Sequence, residues 1–393
     1  MSAATELTGN GDVSFNKLTS PFPAVREDNN ANRYDMNFWK DGQRILCIRL
    51  DNLGDVLMTS PAFRALKTTW PGCHLTLLTS PVGAAVAEFI PEVDDVISFD
   101  VPWVAGRNNQ SQAVYELANQ LRQYSFDEAI IFTVQSQSPL PAAMLCYMAG
   151  IPRVMGYCRE NPYHLMTNWV PDPEVLVATR HEVIRQLELV QRIGCYTNDQ
   201  RLSFQVPMID RQRARQQLAA AGIDLHRPWL VLHPGVSEAK RRYPAEKFTQ
   251  AVTQLVRDFD YQVVLTGTKD EQGLIQLIQS QLNGQGLDVA GQLTLGQLAG
   301  VIAEAPLLVA NNTGPVHIAA AVGTPVVVLY AKTNPQHTPW QVPNRVLYFD
   351  VPTSLRSKNT LLQQFPASPG PEASPEAIVQ AVSELMAEWQ PIA

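Results

Sequence analysis

The stretch WLVLHPG, residues 229 to 235, restarts a pattern of strand and helix signals that first begins at RILCIRL, residues 44 to 50. Five apolar or β-prone residues followed by Pro-Gly read as a strand buried on both faces that ends in a turn. Downstream, PAEKFTQAVTQLVRDF (244 to 259) reads as a helix, YQVVLTG (261 to 267) as a strand and LTLGQLAGVIAEA (293 to 305) as a helix. LLVAN (307 to 311) and TPVVVLY (324 to 330) follow as strands. Upstream, HLTLLTS (74 to 80), DDVISFD (94 to 100) and DEAIIFT (127 to 133) are strand-like, and QAVYELANQLRQY (112 to 124) is a helix between two of them. Strands separated by helices imply a largely parallel sheet covered on both faces, because each parallel crossover needs a dozen or so residues. The fold class expected is therefore α/β, with two such units facing one another.

Length agrees with two units: 393 residues exceed what one core usually serves. The expected division is an N-terminal arm over 1–40, one α/β domain over 41–215, a second over 216–350, and a linker with a terminal helix over 351–393. The arm and the linker are rich in Gly, Pro and polar residues. Ser374, Pro375 and Glu376 suit the start of the last helix.

With 45% hydrophobic and 17% charged residues the chain reads as globular, and a formal charge of -7 gives no reason to expect a nucleic-acid partner. Cys47, Cys73, Cys146, Cys158 and Cys195 lie singly, without metal or redox spacing, and read as buried thiols. No N-terminal run has the form of a signal peptide, and the apolar runs are interrupted short of a membrane-spanning length. A cytoplasmic location is expected, with peripheral contact at a membrane left open.

Ligands of open α/β sheets bind beyond the carboxyl ends of the strands, so function belongs in the loops that follow them. RLDNLGDVLMTSP (49 to 61) carries Arg49 on the strand, able to hold a carboxylate or phosphate, then Gly54 and Asp55. Asp55 either caps the next helix or accepts a proton from an alcohol, and Asp51 has the same two readings. Pro61 is given a structural role only. HPGVSEAKRRYPAEKF (233 to 248) sets Ser237, Lys240, Arg241 and Arg242 before a helix start, which suits a diphosphate or a solvated cationic surface. His233 in the same loop either orients a ligand oxygen or is structural. NNTGPVHIAAAVG (311 to 323) offers Asn312, Thr313 and Gly314 at a turn, with His317 in the first turn of a helix. There the positive potential favours a neutral imidazole that can donate to a phosphate or ribose oxygen. Lys332 and Thr333 follow the next strand in a loop that could cover a base, sugar or phosphate, and Trp340 is read as packing that loop.

Together RLDNLGDVLMTSPA, HPGVSEAKRRYPAEKF and NNTGPVHIAAAVGTPVVVLYAKTNPQHTPW resemble the bacterial heptosyltransferases of glycosyltransferase family 9 over roughly residues 43 to 350. The resemblance implies the GT-B architecture, two doubly wound Rossmann-like domains around a cleft, the first receiving a lipopolysaccharide-core or other lipid-linked acceptor and the second binding a sugar nucleotide. It further implies inversion at the sugar carbon without a required metal or cofactor, with ADP-heptose as the donor characteristic of the family. Asp55 matches the family's catalytic base, Arg241 its basic residue before the aromatic-proline pair, and His317 its phosphate-side histidine beside Thr313 and Gly314. Many members carry an aspartate where this chain has Asn312, which removes a charge from the expected ribose or sugar contacts. A nucleotide-sugar epimerase or hydrolase, and a nucleotide-sugar-binding protein without turnover, are the alternatives the same loops allow.

Overall fold

The computed structural model describes residues 39–105, 111–172, 180–238, 241–282, 286–331, 335–350 and 371–388. The expected arm falls outside the described residues except for its last two, as do Lys240, Lys332, Thr333 and the linker over 351–370. Two six-stranded parallel sheets form the frame. The first contains β1 (Arg44–Arg49), β2 (His74–Thr79), β3 (Asp95–Ser98), β4 (Glu128–Ile131), β5 (Arg153–Cys158) and β6 (Asn168–Pro171). Its strand order is β3-β2-β1-β4-β5-β6. The second contains β7 (Trp229–His233), β8 (Gln262–Leu265), β9 (Gly286–Asp288), β10 (Leu308–Asn311), β11 (Val326–Ala331) and β12 (Asn344–Phe349). Its order is β12-β11-β10-β7-β8-β9, so each half repeats one doubly wound topology. The order reverses between β1 and β4 in the first sheet and between β7 and β10 in the second, and chain emerging there opens a crevice.

The helices of the first half are α1 (Leu53–Thr69), α2 (Pro81–Ala87), α3 (Pro102–Ala105), α4 (Ser111–Tyr124), α5 (Leu140–Ala149) and α6 (Glu182–Gln191). α7 (Met208–Ala220), α8 (Ala245–Phe259), α9 (Gln272–Gln281), α10 (Leu295–Glu304), α11 (Gly314–Val322) and α12 (Pro375–Glu388) follow. Among the described residues, buried side chains pack into a core in each half. Leu46, Ile48, Ala129 and Ile131 anchor one, and Leu230, Leu232, Val263 and Leu265 the other. α12 joins the second core through Ile378, Val382 and Leu385, and Ser374 Oγ caps it by accepting from the Ala377 amide at 3.1 Å. The expected domain boundary at 215/216 falls inside α7, whose buried Ala214 lies against Gly300 of α10. All five cysteines are buried and unpaired.

α1 illustrates how the sequence manages an awkward residue. Asn52 and Asp55 form a capping box at its start, and Pro61 sits in its interior. Proline cannot donate to the carbonyl four residues back. The Ser60 hydroxyl donates to that Leu57 carbonyl instead, at 2.6 Å, and the helix continues to Thr69.

Candidate active site

Arg49, the last residue of β1, is fully buried with three carboxylates around its guanidinium. Nε lies 3.0 Å from Asp51, Nη2 3.2 Å from Asp55 and Nη1 2.9 Å from Glu182 at the start of α6. Burial opposes the charge on Arg49, yet Asp51, Glu182 and Asp55 hold its pKa above the ordinary range. Two of the acids have a further anchor. Gln186 donates to Glu182 at 2.6 Å and Gln137, from the segment after β4, donates to Asp51. Burial, followed by repulsion from Asp55 and Glu182, pushes Asp51 up to about 6 against the pull of Arg49 and Gln137.

Asp55 accepts from Arg49 on one oxygen and from the Asn52 amide on the other, at 3.2 Å each. Burial alone would lift its carboxyl. Arg49 first, then His337, His317 and the Asn52 amide, more than reverse that, and Asp55 stays below the ordinary carboxylate range. The capping role and a chemical role thus coexist: one lobe of the carboxylate closes the helix end, and the residue keeps 14% of its side chain exposed.

In the second half, Asn311 at the end of β10 ties two predicted loops together. Its amide donates to the Pro234 carbonyl at 2.6 Å and its oxygen accepts from the Tyr243 amide at 3.1 Å. Arg241 lies two residues before Tyr243, pairs with Glu238 at 3.2 Å, and its charge reaches His317, His337 and Tyr330. Asn312 is buried beside the phenol of Tyr330, which burial holds far above its usual range. His233 shares a hydrogen bond with Thr266 at 3.0 Å, and burial lowers its pKa in spite of Glu271. The Glu271 carboxylate fills the space where Gly235 would carry a Cβ. Ser237 is exposed.

The two halves meet at the N-termini of α1 and α11. A Cβ on Gly54 would stand 2.5 Å from His317 Cδ2, and one on Gly314 would stand 3.2 Å from Leu53 Cδ2. His317 is 4% exposed, and among the described residues its Nδ1 has no hydrogen-bond partner. The expectation of a neutral imidazole holds, but the leading cause is burial, followed by His337, and together they bring His317 down to about 3. Burial also lowers His337 against the pull of Asp55 and Glu182. Both imidazoles are therefore uncharged near pH 7, and Arg49 is the cation that governs Asp55.

The segment after β11 straps the halves together. His181 Nε2 meets the Thr338 carbonyl at 2.9 Å, its ring lies 4.5 Å from that of Trp340, and Trp340 Nε1 donates to the Gln200 carbonyl at 2.7 Å. His337 Nε2 stands 4.0 Å from Glu182. Trp340 thus packs this loop, as its sequence reading expects. Near the β1 and β4 exits lies a cavity of about 380 Å³, walled by Ile48, Leu50, Ile131, Phe132 and Trp103 with Gln137 on its polar side.

Arg49, Gly54, Asp55, Gly314 and His317 are thus gathered at one place with Arg241 close by, whereas His233 is engaged with Thr266 and Ser237 faces solvent. Sequence reasoning misses Glu182, Gln137, Asn311 and Glu271. Glu182 belongs to none of the loops that the sequence marks, and Asn311 reads as the end of a strand. Only the closeness of Asn311 to the turn beginning at Asn312 hinted at a role.

A family model described as "Glycosyltransferase family 9 (heptosyltransferase)" matches residues 114–365. Lipopolysaccharide heptosyltransferase 2 of Escherichia coli (strain K12) is 26% identical over 306 residues, which span 75% of this chain and 85% of that protein. Its namesake in Salmonella typhimurium is 25% identical over the same length and the same shares. Among solved structures, a family 9 glycosyl transferase from Veillonella parvula superimposes with a TM-score of 0.72 at 22% identity, covering 89% of this chain and 98% of the other. The ADP-heptose lps heptosyltransferase II of E. coli gives a TM-score of 0.66 at 22% identity, covering 88% and 99%. Both show the same two-sheet GT-B fold.

Proposed function

The chain belongs to glycosyltransferase family 9 and is a heptosyltransferase-like glycosyltransferase, and from that premise we propose that it moves a sugar, heptose foremost, from a nucleotide diphosphate to a lipopolysaccharide-core or related surface-glycan acceptor. The E. coli protein of the same fold takes ADP-heptose by its name, which makes ADP-heptose the first donor to try. The acceptor hydroxyl would enter from the first half and the donor diphosphate from the second. In the same reading the protein works at the cytoplasmic face of the inner membrane.

The observation that carries the reading is the closeness of the α1 and α11 N-termini at Gly54 and His317, which sets a carboxylate of one half beside a helix start of the other, where the backbone favours an anion. In the proposed step Asp55 takes the hydroxyl proton as the oxygen attacks the anomeric carbon from the face opposite the diphosphate, so the configuration inverts. A carboxylate of low basicity suits a late proton transfer, when the forming bond has already made the hydroxyl acidic. Negative charge develops on the leaving diphosphate, and the amides opening α11, the neutral His317 and the Arg241 guanidinium would receive it without requiring a metal ion.

Asp55→Asn is expected to lower kcat by roughly 100- to 10,000-fold with donor affinity kept, as read by transfer kinetics and by calorimetry with ADP-heptose. Wild-type transfer by that variant would remove Asp55 from the role. Product analysis without acceptor separates the competing chemistries: a changed free sugar nucleotide would mean epimerisation or hydrolysis rather than transfer.

A further inference from the structure

We infer that Arg49 is a positioning residue for the base: its guanidinium aims the Asp55 carboxylate at the meeting point of α1 and α11, while Asp51 and Glu182 hold its remaining edges. The inference rests on the reading of Asp55 as the base. Each edge of the planar fork meets an acid from a different element: the loop after β1, α1 and α6. Gln137 and Gln186 brace the two outer acids, so the guanidinium cannot turn without breaking several contacts at once. Exposure is graded across the group. Arg49 and Glu182 are at 0%, Asp51 at 9% and Asp55 at 14%, so the proposed base is the member that reaches outward.

Charge neutrality does not explain this arrangement, because one acid would neutralise one arginine. Three acids on a single buried cation leave an excess of negative charge in a site where desolvation is costly. The excess has a chemical use. A dedicated Arg49–Asp55 pair would orient the carboxylate but lower its basicity further; Asp51 and Glu182 compete for the same cation and limit that loss, although Asp55 still lies below the ordinary carboxylate range.

Asp55 is faced by Arg49 from β1, by Asp51 from the following loop, by His317 from α11 and by His337 from the loop after β11. Glu182 of α6 stands behind Arg49, and the charge of Arg241 reaches both histidines. With the histidines neutral, replacing Arg49 removes the main force that keeps Asp55 ionised. The acid limb of the kcat profile then moves to higher pH.

The test uses the full-length enzyme with Arg49→Lys, Arg49→Gln, Glu182→Gln and Asp55→Asn, each normalised by the number of ADP-heptose sites found by calorimetry, so that unfolded material does not count. Arg49→Gln is expected to lose about 100-fold in kcat, the scale of a misplaced reacting group, with the acid limb moved upward and donor affinity unchanged. Arg49→Lys keeps the charge but not the fork, and is expected to recover the position of the limb more than the rate. Glu182→Gln is nearly isosteric and keeps the protein folded if Arg49→Gln does not. It is expected to move the acid limb downward, because Arg49 then pulls harder on Asp55. A purely structural Arg49 would change stability and site number without moving either limb. If the normalised kcat and acid limb are unchanged in Arg49→Lys and Glu182→Gln while Asp55→Asn is inactive, the inference is overturned and the reading of Asp55 stands. If Asp55→Asn is active, both fall.

Discussion

Gly54 is the residue on which the site's closeness depends. Its lack of a side chain lets the His317 ring lie against the first turn of α1. Gly54→Ala gains about 1 kcal/mol of helix propensity but forces a Cβ to within 2.5 Å of His317 Cδ2. Overpacking of this kind costs about 1–3 kcal/mol, and it falls on the contact between base and donor side. The variant is expected to unfold at a lower denaturant midpoint and to lose transfer out of proportion to that change. A stable, fully active Gly54→Ala would show that the two helix starts separate during turnover. Much of this was legible beforehand: Gly54 and Asp55 follow a strand, and His317 opens a helix beside Gly314. The partner of Arg49 was not, because Glu182 comes from a helix far along the chain with no local mark of its destination. Asp51 was legible only with the same two readings as Asp55, because its partner Gln137 lies 86 residues along the chain.

At the scale of elements, the loops work because strands bind them to one another. Asn311 spans from β10 to the segment after β7 with both ends of its amide. Asn311→Ala would leave the Tyr243 amide and the Pro234 carbonyl unpaired in the interior, at about 1–3 kcal/mol for each stranded group. The expected readout is a lower melting temperature with weaker binding of ADP-heptose, since the loop that carries Arg241 loses its tie to β10. Unchanged donor affinity would separate that loop from the donor. The strands themselves were unevenly readable. Long Val/Leu/Ile runs announce β1, β7 and β11, but β5 contains Gly156, β6 has four residues ending in Pro171, and β9 has three. In β5 a Cβ on Gly156 would sit tightly, 3.0 Å from Met166 Cε and 3.1 Å from the Ile131 carbonyl oxygen, so the glycine spares its neighbours a small shift. Such strands come from neighbours in the sheet rather than from propensity, and a single sequence hides them.

Across the whole molecule, buried titratable groups make stability depend on pH in opposing ways. His317 is depressed from 6.5 to about 3, so an unfolded chain takes up a proton between those values that the folded chain refuses. Its contribution is fully present above pH 6.5 and lost as pH falls through the window. Asp51, raised from 3.8 to about 6, has the reverse effect: its contribution is full below 3.8 and lost as pH rises through 6. Chemical denaturation of His317→Gln beside the wild type isolates the first term. The variant is expected to gain several kcal/mol relative to wild type as pH drops from 6.5 toward 3, and a constant difference between the two would contradict the burial of that imidazole. The presence of two α/β units was the most readable feature of the chain, because the alternation of strands and helices is written twice, whereas the strand order of each sheet emerges only in the fold.

The strap between the halves also supplies an optical handle. Trp340 lies 4.5 Å from the His181 ring, and His181 is buried enough to stay neutral down to about 4. A strap that lifted would part the indole from this imidazole and from the Gln200 carbonyl, and so change the emission of Trp340. The difference in fluorescence between wild type and Trp340→Phe, followed as donor is added at pH 5.5, reports whether the strap lifts when the substrate enters, with no label attached.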